Sequence, residues 1–358
     1  MIGLAPYGKL NQELYELLSA TISVQGFDCQ HSSKNLFASI ADLENFKRLD
    51  QDPIEKAADL AFTGQYFFAE LMTKLLQHLQ QQTGSKNLTL GGGCALNSAF
   101  NGQIQDRTDF PQVFIPSAPA DDGTALGAAW LALHHDQPDL ALANSVVKSP
   151  YLGSIIPDKA VKNLIRYNRS LNIQHLPDSI CATTAKLLSK GQLVGWIQGR
   201  AEFGPRALGN RSILADPRFA ATKDNINQKV KFRESFRPFV PSVLHQHADN
   251  FFECYHESPY MDKTLRIRAH MQDRIAAVCH VDGTGRLQTV KQEWNPRFYQ
   301  LINCFYQQTQ IPMLLNTSFN VMGKPLVHSL EDALAVFLST GLDALVVNDY
   351  LICKPYDE

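Results

Sequence analysis

Gly199-Arg200-Ala201-Glu202-Phe203-Gly204-Pro205-Arg206-Ala207-Leu208-Gly209-Asn210-Arg211-Ser212 holds three arginines, one glutamate, three glycines and one proline in a single turn-rich segment. It follows the apolar run Gln192–Ile197, which reads as a buried strand. Glycine lets the backbone approach a ligand closely. Arginine offers a planar fork suited to phosphate or carboxylate. The segment therefore points to an anionic, phosphorylated substrate held at the end of a buried strand.

The surroundings strengthen that reading. Residues 200–237 carry nine Lys/Arg against four Asp/Glu, on a chain whose net charge is -2. A basic island on a mildly acidic protein suits a small anionic ligand better than a nucleic-acid track. Within it, Arg233 and Arg237 are spaced i,i+4, and Phe232, Phe236 and Phe239 argue against a wholly solvated face. Basic residues mixed with aromatics can also read RNA, but the island is short.

At 358 residues the chain argues for two domains, and 44% hydrophobic with 19% charged residues describes an ordinary globular protein. Seven scattered cysteines, an odd number with no Cys-x-x-Cys, speak against a zinc ribbon or disulfide framework and fit a reducing cytoplasm. No apolar run is long enough to span a bilayer. The opening Met1-Ile2-Gly3-Leu4-Ala5-Pro6-Tyr7-Gly8-Lys9 reads as a mid-domain loop, as if the chain began inside a larger domain.

Periodicity predicts helices over 53–82, 178–190, 295–309 and 329–340, the last capped by Ser329, and a buried Ala-rich helix over Ala125–His134. Strands are predicted at 87–90, 113–116, 192–197, 275–281, 286–290, 312–315 and 344–347. Strands alternating with helices indicate α/β or α+β domains. Residues 135–158, with three prolines, read as a linker region.

Four further segments can carry chemistry. Gly91-Gly92-Gly93-Cys94-Ala95-Leu96-Asn97 lies between a strand and a helix, where bare backbone is either a structural turn or a phosphate seat. Asp121-Asp122-Gly123-Thr124 either caps a helix or holds a divalent cation. His280-Val281-Asp282-Gly283-Thr284-Gly285-Arg286 is a surface hairpin or a further arginine aimed at the ligand. Leu315-Asn316-Thr317-Ser318-Phe319-Asn320 is a turn or a ligand cradle, because buried polar groups need partners.

Taken together, these segments resemble the nodulation-type O-carbamoyltransferases. The resemblance rests on GLAPYGK (3–9), GGGCALN (91–97), APADDGTALGAA (118–129), GRAEFGPRALGNRSILADPR (199–218), VKFRESFRPFVPSV (230–243), HVDGTGRLQTV (280–290) and LNTSFNVMGKPLV (315–327). It implies the C-terminal part of an actin/sugar-kinase-like domain over 1–145. A linker region over 146–175 and a YrdC-like α/β domain over 176–358 would follow. In the family the YrdC-like domain joins carbamoyl phosphate to ATP, giving carbamoyl adenylate and pyrophosphate. The other domain passes the carbamoyl group to a substrate hydroxyl beside an iron ion.

Residue by residue, the resemblance puts Arg206, Lys231, Arg237 and Arg286 on the phosphates, and Asn316 and Ser318 on the carbamoyl group and nucleotide. Gly91, Gly92 and Asn97 fall on the adenylate-binding turn, Gly123, Arg211, His280 and Thr317 complete the nucleotide set, and Asp121 falls on the metal. The cofactors implied are ATP with Mg2+ and an Fe2+ or other divalent ion whose histidine ligands lie in sequence preceding GLAPYGK. The partners implied are carbamoyl phosphate and a hydroxyl-bearing sugar or small molecule, with neither nucleic acid nor membrane. A homodimer, a partner chain supplying the N-terminal half, a non-catalytic subunit and tRNA threonylcarbamoyl-adenylate chemistry stay open.

Overall fold

The computed structural model of the protein describes residues 2–31, 41–138 and 149–355. The expected boundary at 145/146 and the first residues of the expected linker lie outside these.

A nine-stranded mixed sheet forms the larger part of the molecule. Its strands are β5 (Asn172–His175), β6 (Val194–Ile197), β7 (Arg211–Ala215), β8 (Val240–Leu244), β9 (Lys263–Arg266), β10 (Thr284–Val290), β11 (Met313–Ser318), β12 (Ala344–Val347) and β13 (Tyr350–Cys353). They run in the order β5-β13-β12-β6-β7-β11-β8-β10-β9. β6 lies parallel to β12 and β8 parallel to β10, and every other neighbour in this sheet is antiparallel. The central strands β6, β7 and β8 are buried at every position, as strands covered on both faces must be.

Local signals set the covering helices. Helix Pro296–Thr309 has proline at its first position, and Asn295 accepts from the Phe298 N–H. It buries Phe298, Leu301, Ile302 and Phe305, one stripe at helical spacing. Ser329 and Asp332 form a reciprocal capping box on helix Leu330–Ser339. Helix Ile180–Ser189 turns Ile180, Cys181, Thr184, Ala185 and Leu188 inward.

The N-terminal part is smaller. It holds a hairpin of β1 (Ile22–Gln25) and β2 (Asp28–His31), the long helix Ala58–Thr83, and a parallel pair of β3 (Asn87–Thr89) and β4 (Gln112–Phe114). It is tied to the large sheet through close backbone contacts. Asn101 Nδ2 donates to the Asp262 carbonyl at 2.9 Å, and Thr264 Oγ1 to Ser98 Oγ at 3.1 Å. Gly204 packs so tightly on the first part that a Cβ there would lie 2.2 Å from the Ser117 carbonyl oxygen.

Three expectations are corrected. The helix Thr124–Asp136 forms but buries no residue, with Trp130 41% and Leu131 72% exposed. Its composition matched a core helix, but among the described residues no element covers it. Residues 275–281 are not a strand. A 3-10 stretch, Ala269–Ile275, runs into a buried turn in which Ala277 N–H bonds the Pro217 carbonyl, since a short apolar run does not distinguish a strand from a buried turn. The expected linker is partly folded: helix Asp158–Tyr167 lies within it, and β5 pairs with β13 as the sheet's edge. No helix among the described residues is long and apolar enough to cross a membrane.

Candidate active site

The segment Gly199–Ser212 crosses from β6 to β7, and its shape is held from inside. Glu202 is buried, and its Oε1 accepts from the N–H groups of Leu208 (2.7 Å), Asn210 (2.8 Å) and Arg211 (3.2 Å). Burial raises its pKa above the usual carboxylate value, against the pull of those backbone donors. Arg211 is wholly buried and donates to the carbonyls of Gln198, Asn210, Ser154 and Gly199. Asn316 Nδ2 reaches the Ala207 carbonyl, Ser242 Oγ and Gln288 Oε1, while Gln288 Nε2 donates to the Leu208 carbonyl. The loop thus rests on a buried polar frame, and Arg206 projects from it.

Arg206 lines a cavity of about 860 Å³ between the two parts of the molecule. Arg233, Arg237, Lys223, His280 and Arg286 share its wall, and Ile2, Gly3, Pro6, Tyr7, Leu96 and Gln103 close it from the N-terminal side. The cations come from four elements. Lys223 is on helix Ala221–Ile226, and Arg286 on β10. Arg233 and Arg237 follow a π-helical turn, Asn227–Lys231, which ends with Phe232 in the left-handed region at φ 48°. Such a strained turn is a common device at functional sites.

The wall is rich in cations, although Asp106, Glu253 and Asp282 also line it. Burial, with Arg206 and Arg233 nearby, pushes the Arg286 guanidinium down to about 9. Burial first, then Arg237, pushes Arg233 down to about 10. Arg206 and Lys223 are lowered chiefly by burial. The side chains of Arg206 and Arg286 make no hydrogen bond or ion pair with any described residue, and Arg286 Nε is buried without a partner. Arg237 pairs with Glu234 at 2.9 Å. Gathered cations lowered by burial and mutual repulsion mark a place made for anionic charge.

Lys231 lies just behind this wall. Its ammonium reaches the Ser318 carbonyl, Ser318 Oγ, the Asn320 carbonyl and Asn320 Oδ1. Burial first, and Arg233 second, lower its pKa to about 7. The contacts tie the π-helical turn to the end of β11, where Thr317 stands half-buried beside Ser318. Arg233 and Asn320 stand outside the residue set the motifs implied, although both lie inside the quoted stretches. Their signal was spacing, since Arg233 lies two residues after Lys231 and Asn320 two after Ser318.

The Gly91–Gly92 and Ala118–Gly123 turns of the N-terminal part pack on one another. Gly92, at φ 92°, donates to the Pro119 carbonyl at 2.6 Å, so the Gly91–Gly92 turn sits against the Ala118–Gly123 turn. A Cβ on Gly123 would lie 2.1 Å from the Ala118 carbonyl oxygen. Asn97 caps the next helix and exchanges hydrogen bonds with Gln65. Asp121 and Asp122 are exposed. Among the described residues no three His, Cys, Asp or Glu side chains group as a metal site. Two carboxylates alone fall short of the ligand number a divalent ion needs.

The family follows from the comparison of this chain with known proteins. The model described as carbamoyltransferase N-terminus matches residues 1–130, and that described as carbamoyltransferase C-terminus matches residues 185–354. The chain belongs to the carbamoyltransferase family. It is 40% identical to nodulation protein NolNO of Sinorhizobium fredii, over 99% of this chain and 52% of that protein. It is 38% identical to nodulation protein NolO of Bradyrhizobium diazoefficiens, over 99% of this chain and 65% of that one. The chain thus spans between half and two thirds of the length of these curated relatives. A crystal structure of HypF from T. kodakarensis aligns with a TM-score of 0.33 at 17% identity, over 51% of this chain and 22% of that one.

Proposed function

We propose that this chain forms carbamoyl adenylate from carbamoyl phosphate and ATP, as the activating half of an O-carbamoyltransferase. The observation that carries the reading is the meeting of Arg206, Arg233, Arg237, Arg286 and Lys223 on one cavity, with the side chains of Arg206, Lys223 and Arg286 making no hydrogen bond or ion pair with any described residue. Carbamoyl phosphate and ATP repel one another, and gathered cations offset that repulsion. Water takes the carbamoyl group from phosphate, leaving carbamate and inorganic phosphate. A carbamate oxygen then attacks the α-phosphorus of ATP, and pyrophosphate leaves with the bond to that phosphorus. Arg206, Arg233 and Arg286 hold the phosphates and stabilise the charge that builds on the leaving pyrophosphate, usually the largest catalytic contribution. Lys231, Ser318 and Asn320 position the turn that carries Arg233. Mg2+ accompanies ATP.

In this reading the large sheet is the YrdC-like domain and the N-terminal part belongs to an actin/sugar-kinase-like domain. The paired glycine turns at Gly91–Gly92 and Ala118–Gly123 form its adenylate seat, where Asp121 would offer a single carboxylate to a divalent ion, short of a full ligand set. The acceptor is a hydroxyl-bearing sugar or small molecule. The test is to incubate the folded chain with ATP and carbamoyl phosphate and measure pyrophosphate. No release refutes the activity, and release that needs threonine and bicarbonate instead moves the reading to tRNA modification.

The exposed apolar helix Thr124–Asp136 favours a second, compatible reading, in which the chain works against further protein. The occupant is sequence of the kind that makes the relatives longer, supplied as a partner chain. Co-expression with the N-terminal portion of such a relative should give a co-eluting complex. A folded chain that remains alone excludes this reading.

A further inference from the structure

The arginines of the cavity can only donate hydrogen bonds. His280 differs, and its hydrogen bonds determine how. Thr284 Oγ1 lies 2.7 Å from Asp282 Oδ1 and 3.1 Å from His280 Nδ1. The carboxylate can only accept, so the single threonine proton goes to Asp282, and Thr284 Oγ1 accepts from His280 Nδ1–H. The other ring nitrogen, Nε2, then carries a bare lone pair. That nitrogen is buried without a partner, although its residue lines the cavity. Burial first pushes the ring down to about 4, with Asp282 opposing and Arg286 and Lys223 adding to the fall, so it is neutral at physiological pH.

Arg286 lines the same cavity, and its charge acts on the His280 ring. Arg286 Nε–H is a buried donor, also without a partner. Two buried polar atoms left unsatisfied at one wall call for an explanation. One bare acceptor and one bare donor on residues of the same cavity match a primary carboxamide, which offers both an N–H and a carbonyl.

We propose that His280 and Arg286 read the carboxamide face of the carbamoyl group, His280 Nε2 accepting from its NH2 and Arg286 Nε–H donating to its carbonyl. This rests on the adenylate-forming reading above and adds a specificity determinant to it. Acetyl phosphate is the discriminating analogue: it has the same phosphate and nearly the same shape, with a methyl group where the NH2 stands. A site built to hydrogen-bond a group rejects the analogue that lacks it, because the buried acceptor is left unpaired.

The experiment compares carbamoyl phosphate with acetyl phosphate in ATP-dependent pyrophosphate release, for the wild type, His280→Leu and His280→Gln. His280→Leu should lower kcat/KM for carbamoyl phosphate relative to that for acetyl phosphate by about ten- to a hundredfold, because the lost acceptor serves only the NH2. His280→Gln, which keeps an acceptor oxygen, should recover part of the preference. An equal fall for both substrates, or an unchanged preference, overturns the inference while leaving adenylate formation intact. Should the wild type release no pyrophosphate at all, the adenylate reading fails separately. Calorimetric binding of the two acyl phosphates to wild type and variant then decides the role of His280: a carbamoyl preference lost in His280→Leu supports it, and equal binding of both by the wild type refutes it.

Discussion

Glu202→Ala is the most informative single change, because its effect follows from geometry and needs no assumption about substrate. The carboxylate satisfies three buried N–H groups of the loop that carries Arg206. Truncation leaves all three unsatisfied, at roughly 1–3 kcal/mol each before relaxation. It also takes the nearest buried negative charge from Arg211, which is wholly buried. Against this stands relief of the burial that raises the Glu202 pKa. The net expectation is a loss of about 3–5 kcal/mol, the scale seen when one member of a buried charged network is removed. Glu202→Gln keeps an oxygen for the same donors and removes the buried charge, so it should cost about 1 kcal/mol or less at neutral pH. The sign of the pH effect is set by the raised pKa. Wild type gains stability relative to Glu202→Gln as pH falls through the folded value, because the protonated carboxyl no longer carries the desolvation penalty. Urea unfolding at neutral and mildly acid pH measures all three proteins. A Glu202→Ala midpoint within about 1 kcal/mol of wild type would falsify the argument, for it would mean that water or a shifted loop satisfies the three donors.

Arg206→Ala and Arg286→Ala should each lower kcat/KM for pyrophosphate release by about 2–4 kcal/mol of transition-state stabilisation. Urea stability should stay level or rise, since neither guanidinium has a protein partner; a variant that loses stability and activity together points instead to a structural role. Gly204→Ala should cost about 2 kcal/mol or more, because φ is 126° and the new Cβ meets the Ser117 carbonyl oxygen. Gly84→Ala, also at positive φ but with open space around it, should cost about 1 kcal/mol, and equal thermal shifts in the two would refute the close-contact account. Lys231 titrates near pH 7 in the folded chain against 10.5 for the free side chain. The unfolded chain therefore binds more protons between those values, and this group makes stability rise with pH across that window. In Lys231→Met that rise should vanish, and a wild-type pH slope retained by the variant would show that other groups produce it.

Some of this was legible in the amino-acid order. Continuous apolar runs such as Val194–Ile197 and Ala344–Val347 identified sheet strands, and Ser329 marked a helix start through its capping chemistry. β7 was hidden because its first residues, Arg211 and Ser212, are polar. They occupy a strand buried at every position only because four carbonyls surround the guanidinium. β9 escaped for a related reason, since Lys263 is buried through an ion pair with Asp262 and a bond to the Glu257 carbonyl. Such burial is decided by tertiary partners, which composition does not display.

The site shows the same division. Residue type located the cations, but not which of them face the ligand. Arg206 and Arg211 are five positions apart in one glycine-rich loop and look interchangeable as phosphate forks. Arg211 is consumed by the carbonyls of Gly199 and Asn210 in the loop and of Gln198 and Ser154 beside it, whereas the Arg206 side chain makes no hydrogen bond or ion pair with any described residue. The fixed arginine, with Glu202 and the Asn316–Gln288 frame, holds the geometry in which the free one can wait beside Arg286 without an anion. A loop that must present a cation in advance of its ligand needs this kind of support, because the presented charge is itself unfavourable until phosphate arrives. The buried polar frame is therefore part of how the cavity works, and changes within it should reach the chemistry through Arg206.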